Sequence, residues 1–161
     1  MLKDILSISG HSGLFKFISQ GRHGIIVESL QDKKRMNASA TAKISALEDI
    51  AIFTDTEDIA LKDVFKAIYE KEDGGKAISH KSSADELKSY FEEILPDYDR
   101  DRVYVSDIKK VIQWYNQLHK LEMLNFEEEE EEAKEEDKKT DEKEQKEEET
   151  EAKENKEEEK K

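Results

Sequence analysis

Large apolar side chains stop at Phe126, and this boundary constrains the fold more than any other feature of the chain. Residues 127–161 contain 20 acidic and 9 basic side chains, and their only apolar residue type is alanine. Such a segment cannot bury enough apolar surface to offset the entropy lost on ordering it. The sequence therefore predicts a folded part that ends at Phe126 and a disordered Glu/Lys-rich tail at 127–161.

The negative charge of the chain belongs mainly to this tail. The formal net charge is −14, of which the tail carries −11 and the preceding 126 residues carry −3. A folded part of this length accommodates one medium domain or two small ones. The acidic character is therefore a property of the tail and not of the folded part.

Cysteine is absent from the sequence, which excludes disulfides, thiolate nucleophiles and thiolate-bound zinc. No apolar run approaches the roughly 20 residues that a helix needs to span a bilayer. The first residues, MLKDILSISG, lack the long apolar region of a signal peptide. We expect a soluble cytoplasmic protein without membrane contact.

Short apolar runs separated by glycine-containing turns dominate the N-terminal half. They predict strands, with a β-hairpin between the first two, at Leu14–Ser19, Ile25–Leu30, Lys34–Ala38 and Ile50–Thr54. Met1–Ser9 fits a strand or a helical turn equally well, and Ala40–Leu47 has no clear pattern. This spacing predicts a curled antiparallel sheet or a small SH3-like barrel, with the lysine-rich third strand at an edge.

Three amphipathic helices follow. The first is predicted at Leu61–Lys71, and the second begins with a capping box at Ser83–Glu86 and ends before Pro96. The third lies within Arg100–Leu124, where Ser106 is the expected N-cap and Trp114 widens the apolar stripe. That stripe consists of Ile108, Val111, Ile112, Tyr115 and Leu118. The last two helices are expected to form a helical hairpin.

Together these patterns predict an α+β protein. The expected domains are a β-barrel-like unit with its helix at 1–73, a linker at 74–82 and a helical domain at 83–126, followed by the tail at 127–161.

The connection between the last two helices resembles part of a calcium-binding loop. Asp97, Asp99 and Asp101 match the first three ligand positions of an EF-hand. Arg102 stands where that loop requires glycine, and Ile108 stands where it requires a bidentate glutamate. The pattern is more typical of a surface loop in which aspartate and arginine pair, and we assign no metal ligand.

Glycine-rich turns at Gly10–Gly13 and Gly21–Gly24 have the form of phosphate loops without their lysine or third glycine. Both fit hairpin turns better. The four histidines are scattered and show no metal-binding spacing. We therefore assign no catalytic residue and no cofactor.

A basic, aromatic-containing face is a further possibility. Its cationic members would be Arg22, Lys33, Lys34, Arg35 and Lys43, with Phe15 and Phe17 nearby. Small barrels bind nucleic acids through such faces. The two phenylalanines are, however, more simply interpreted as core residues.

Several segments resemble an uncharacterised protein family found mainly in Bacteroidetes, whose members are described only as domains of unknown function. The resemblance rests on LKDILSISGHSGLFKFISQ, IIVESL, ISALEDIAIFT and LPDYDRDRVYVSDIKKVIQWYNQL and covers Met1 to Phe126. It is most specific at Ser45–Thr54 and Asp99–Asn116. It implies a small N-terminal β domain followed by a helical domain, and it implies no catalytic residue, cofactor or substrate.

The leading hypothesis is a non-enzymatic cytoplasmic module that binds an unknown protein partner. Its expected interaction surface comprises Arg22, Lys34, Arg35, Asp97, Asp99, Arg100, Asp101 and Arg102. One alternative is nucleic-acid binding through the barrel, with the acidic tail as an autoinhibitory competitor. The other is an enzyme that acts on an unidentified small molecule. The oligomeric state does not follow from the sequence.

Overall fold

Five short strands form an antiparallel sheet in the computed structural model, which describes residues 2–126. The strands are β1 (Ile5–Ile8), β2 (Phe15–Gly21), β3 (Gly24–Ser29), β4 (Arg35–Ser39) and β5 (Ile44–Ala46). Their order in the sheet is β4-β3-β2-β1-β5. The predicted hairpin between β2 and β3 is confirmed, and β4 lies at an edge as its composition predicts. The predicted tail at 127–161 lies outside the described residues.

The sheet is open, so the SH3-like barrel is not confirmed and the alternative of an antiparallel sheet holds. Of the predicted fourth strand, Ile50–Thr54, only β6 (Ala51–Ile52) is a strand, and it pairs with β7 (Ile59–Ala60) in a separate ribbon. The fifth strand of the sheet comes instead from the segment without a clear pattern and pairs with β1. The edge strands β4 and β5 therefore stay apart, and no strand within residues 2–126 closes the sheet.

One face of the sheet is apolar. The buried members of its core cluster are Leu6, Ile8, Phe15, Val27 and Ala38. Phe17 and Ile25 pack against this cluster, which follows from the two-residue repeat of side chains along a strand. A bulge between Phe17 and Ser19 shifts the register of β2 against β3.

The three predicted helices are confirmed as α1 (Leu61–Lys71), α2 (Ala84–Ile94) and α3 (Val105–Lys120). Ser83 and Glu86 form the predicted capping box of α2. The predicted N-cap of α3 is wrong, because the helix begins at Val105 and Ser106 lies inside it. The carboxylate of Asp107 accepts the backbone N–H of Tyr104 at 3.2 Å, which starts the helix earlier.

The predicted stripe of α3 is buried in full, and Trp114 is only 8 % exposed. The ring of Tyr115 meets that of Phe65 on α1 edge to face, with centroids 6.0 Å apart. Between α1 and α2, Lys71 pairs with Glu93. A ring contact therefore joins α3 to α1, and an ion pair joins α1 to α2.

Side chains of α3 bind the backbone of residues 74–82. The hydroxyl of Tyr115 donates to the carbonyl of Gly75 at 2.8 Å, and the amide of Asn116 donates to the carbonyl of Ile78 at 3.0 Å. A ring nitrogen of His119 lies 3.1 Å from the carbonyl of Gly74. Residues up to Leu124 belong to one compact unit, and the division into domains at 74–82 stays a prediction. Within the described residues, no helix combines the length and apolarity needed to cross a membrane.

Candidate functional site

A groove of about 580 Å³ lies where the turn after β1, the β6 strand and the first turns of α3 meet. We call it the Phe53 groove. Its apolar lining consists of Ile8, Ile50, Ala51, Ile52, Phe53, Val103, Val111 and Trp114. Most of these side chains also belong to the buried interior, but Phe53 is 40 % exposed. The groove therefore offers an apolar floor with one aromatic ring that is open to solvent.

The rim of the Phe53 groove is mainly basic. Lys43, Arg102 and Lys110 line it, together with His11 from the turn at Gly10–Gly13. Asp107 is the acidic residue of the lining, and its carboxylate lies 3.5 Å from the ammonium of Lys110. Cationic groups therefore outnumber anionic ones around the apolar floor, although the folded part as a whole is slightly acidic.

Arg102 is held in place from three sides. Its Nε lies 2.6 Å from Oδ2 of Asp99, and its guanidinium carbon lies 4.3 Å from the ring centroid of Phe53. Its Nη2 also donates to the carbonyl of Thr54 at 3.3 Å. A guanidinium over an aromatic face is attracted by the negative charge of the π cloud. These contacts fix both the aromatic ring and the positive charge at the edge of the groove.

The aspartate-rich loop at residues 97–102 holds Arg102 in this position. Oδ1 of Asp99 accepts the backbone N–H groups of Asp101 and Arg102 at 2.9 and 3.1 Å, which closes a tight turn. Backbone hydrogen bonds join Asp97 and Asp99 to the strand segment at Phe53–Asp55. The carboxylate oxygens of Asp99 therefore accept hydrogen bonds from the backbone of the turn and from the guanidinium of Arg102. Within the part of the chain that is described, no group of three metal-binding side chains occurs.

Asp99 is expected to make the stability of this region sensitive to acid. Its hydrogen bond with Arg102 holds its pKa below the ordinary value of 3.8. A carboxylate with a lowered folded-state pKa stabilises the fold above pH 3.8, and that contribution disappears as the pH falls through the lower value. The free energy of unfolding, measured with urea, should therefore fall less in Asp99→Asn than in the natural protein when the pH is lowered from neutral to below 3.8. Asp101→Asn keeps the turn and is the control, and an equal effect of both variants would contradict the prediction.

The predicted interaction surface falls into separate parts. Arg22 lies in the β2–β3 turn, whereas Arg35 pairs with Glu28 and Lys34 with Asp32 at the far end of that hairpin. Arg100 pairs with Glu92 and lies over the ring of Tyr98, away from the Phe53 groove lining. Among all the predicted surface residues, only Arg102 lines the groove.

Of the two aromatic residues of the predicted basic face, one is buried and the other is partly buried. Phe15 is buried in the sheet core and Phe17 packs against it, as the alternative interpretation of these residues predicts. Nucleic-acid binding and enzymatic activity both stay predictions.

Two family models match the chain. The domain of unknown function DUF5606 matches residues 2–47, and the domain of unknown function DUF6852 matches residues 50–118. The chain is also 52 % identical to a Bacteroides vulgatus protein with a solution NMR structure, a structural genomics target. This similarity covers 74 % of the chain and 86 % of that protein, with a TM-score of 0.63.

The chain belongs to this uncharacterised Bacteroidetes family. The resemblance stated from the sequence is thereby confirmed, and the matched models cover the sheet and the helices in turn. No curated protein matches the chain. Membership of this DUF5606–DUF6852 family therefore assigns no activity, and the function must be argued from the geometry.

Sequence reasoning missed most of the Phe53 groove of this DUF5606–DUF6852 protein. The sequence pattern places Phe53 in a strand of the sheet and Lys43 on the basic face, and neither is predicted to line a groove. Lys110 and Trp114 lie at helical spacing, four residues apart, which is a usable signal that they share one side of α3. The meeting of α3 with the turn at Gly10–Gly13 depends on tertiary packing, for which the local sequence carries no signal.

Proposed function

We propose that this protein is a non-enzymatic cytoplasmic interaction module. Its Phe53 groove would bind a short segment of a partner protein, in which one apolar side chain is flanked by acidic residues. The observation that carries the proposal is the half-exposed ring of Phe53 beneath the guanidinium of Arg102, at the edge of an apolar floor with a basic rim.

The residue types of the groove suit protein recognition. Aromatic residues and arginine contribute most of the binding energy in many interfaces, especially where neighbouring contacts exclude water. Phe53 and Tyr104 are the large apolar side chains with the greatest exposure in the described part, at 40 % and 64 %. Tyr104 lies next to Val103, which lines the groove. An apolar side chain in the groove would cover the ring of Phe53.

The basic rim favours a partner segment with acidic residues on either side of its apolar side chain. Lys43 and Lys110 are exposed at the rim, where acidic residues of the partner can reach them, although Lys110 already lies 3.5 Å from the carboxylate of Asp107. Complementary surface charge accelerates association and discriminates between partners more than it adds affinity. We therefore expect binding of acidic partners to weaken as salt is added.

A peptide-display selection on the full-length protein tests the proposal. The selected peptides should contain one aromatic or aliphatic residue next to Asp or Glu. Phe53→Ala should weaken their binding about thirtyfold or more, since an aromatic anchor of this kind is worth roughly 2 kcal/mol or more. Fluorescence anisotropy of a labelled peptide measures the affinity, at low and at high salt.

Two neighbouring lysines of α3 provide a matched pair of charge variants. Lys110 lines the groove, whereas Lys109 is exposed and does not. Lys110→Glu should therefore weaken peptide binding, and Lys109→Glu should leave it unchanged. Selected peptides that bind the Phe53→Ala and Lys110→Glu variants as well as the natural protein would refute this assignment of the groove.

A further inference from the structure

Residues 74–82 join the end of α1 to the start of α2 and contain neither a helix nor a strand. We call this segment the strap. It begins with a sharp reversal, in which Asp73 and Gly74 both have positive φ, of 51° and 76°. The backbone N–H groups of Gly74 and Gly75 donate to carbonyls at the end of α1, each at 2.8 Å. The chain therefore leaves α1 in a defined direction and crosses one side of α3.

Three side chains of α3 hold the strap by its backbone carbonyls. The hydroxyl of Tyr115 donates to one carbonyl at 2.8 Å, and the amide of Asn116 donates to another at 3.0 Å. A ring nitrogen of His119 lies 3.1 Å from a third carbonyl oxygen. Such hydrogen bonds add only modest net stability, because water binds both partners when the bond breaks. These polar contacts therefore hold the strap weakly.

The strap buries little apolar surface. Ala77, at 7 % exposure, is the only buried residue between positions 74 and 82, and its side chain is a single methyl group. A cavity of about 750 Å³ lies between the strap and α3, lined by Ala77 and Ser79 on one side and by Gln113 and Asn116 on the other. The two surfaces are therefore not closely packed. Hydrophobic burial, the main force that holds parts of a fold together, is small here.

The helices on either side of the strap are joined without it. The hydroxyl of Tyr90 on α2 donates to the carboxylate of Glu72, at the end of α1, at 2.8 Å. Lys71 of α1 pairs with Glu93 of α2, and its ammonium lies 5.5 Å from the ring centroid of Tyr90. Both helices also bury large apolar side chains of their own. Release of the strap therefore does not require the two helices to separate.

We propose that the strap opens as a unit while the sheet and the three helices stay folded. Segments with few buried apolar contacts open at a lower free energy than the core, and they open as contiguous units. The open state exposes the hydrogen-bond donors of Tyr115, Asn116 and His119 along one side of α3. The strap is thus a conformational device that covers or uncovers this row of donors. The inference is independent of the function proposed for the Phe53 groove.

Thiol labelling of the full-length protein tests the proposal, because the natural chain contains no cysteine. Ala77→Cys places a single buried thiol in the strap, and Val64→Cys places one in the core beside α1, where Val64 is 1 % exposed. When closing is fast, the rate of reaction with a maleimide follows the population of the open form. Relative to the same variants unfolded in urea, the thiol at position 77 should react about tenfold or more faster than the thiol at position 64.

The dependence of these rates on urea separates local opening from global unfolding. Opening of the strap exposes little surface, so the labelling rate at position 77 should change little at low urea concentrations. Labelling at position 64 requires unfolding of the core and should accelerate steeply as urea is added.

Two further substitutions, each made in both cysteine variants, identify the contacts that break on opening. Asn116→Ala removes a hydrogen bond that is lost both on opening and on unfolding, so it should accelerate labelling at both positions by about fivefold. Phe91→Leu weakens the core of α2, where the ring of Phe91 meets that of Tyr98 edge to face. It should accelerate labelling at position 64 alone, because α2 stays folded when the strap opens.

Three results would overturn the proposal. One is the same urea dependence of labelling at both positions, because the strap would then open only when the whole protein unfolds. The second is an effect of Phe91→Leu at position 77 as large as its effect at position 64. The third is labelling at position 77 as fast as in the unfolded protein, because the strap would then not be closed.

Discussion

Replacing Tyr115 with alanine is expected to lower the free energy of unfolding by about 3–5 kcal/mol. The side chain is fully buried, its ring meets that of Phe65, and its hydroxyl donates to the carbonyl of Gly75. The substitution would leave a large cavity between α1 and α3 and would release the segment that carries Gly75. A loss of this size is comparable with the whole stability of many small domains. Urea unfolding followed by circular dichroism measures it.

Tyr115→Phe divides this effect into its parts. The ring stays in place, and only the hydrogen bond to Gly75 is lost, so the cost should be about 1–2 kcal/mol. The two variants together separate ring packing from the attachment of residues 74–82. If Tyr115→Phe cost as much as Tyr115→Ala, the hydroxyl and not the ring would be the main stabilising group, contrary to the packing seen here.

The helices could be predicted from the sequence because their signals are local. A repeat of three and four residues places Val111 and Tyr115 on one face whatever the rest of the chain does. The capping box at Ser83 depends on residues only three positions apart. The start of α3 is harder to predict, because the carboxylate of Asp107 accepts the backbone N–H of Tyr104, whereas the nearby Ser106 has the residue type that is typical of an N-cap.

The sheet could be predicted only in part, because strand pairing depends on distant residues. The hairpin of β2 and β3 can be predicted, because only two residues separate its strands. The pairing of Ile44–Ala46 with β1 joins segments far apart in the chain, and three residues are too few to show a pattern. The same limit applies to Ile50–Thr54, whose apolar character fits either a sheet strand or the short ribbon that it forms with Ile59–Ala60.

Of the residues that line the Phe53 groove, the sequence predicts only Arg102 as part of an interaction surface. Arg102 was included because it lies in a charged loop, and its position over Phe53 could not be known. The other predicted residues are exposed charges, a property that many surface positions share.

Gly24→Ala is expected to destabilise the protein by about 3 kcal/mol, near the upper end of the usual cost of overpacking. A Cβ atom at this position would lie 1.9 Å from the carbonyl oxygen of Ala38 and 2.9 Å from its carbonyl carbon. Both atoms belong to the backbone of the neighbouring strand β4, so no side-chain rotation can relieve the clash. The β3–β4 pairing at Gly24 and Ser39 must open instead. Urea unfolding and amide hydrogen exchange of β4 measure the effect.

Gly21→Ala is the matched control, because Gly21 pairs with Gly24 across the same turn. A Cβ atom there would meet its nearest neighbour, the carbonyl oxygen of Gly24, at 3.4 Å, which needs little adjustment. Its effect should stay within about 0.5 kcal/mol, as for most surface substitutions. The contrast follows from the close approach of two backbones at Gly24. If both variants were equally stable and kept β4 protected from exchange, the strands could not approach as closely as described.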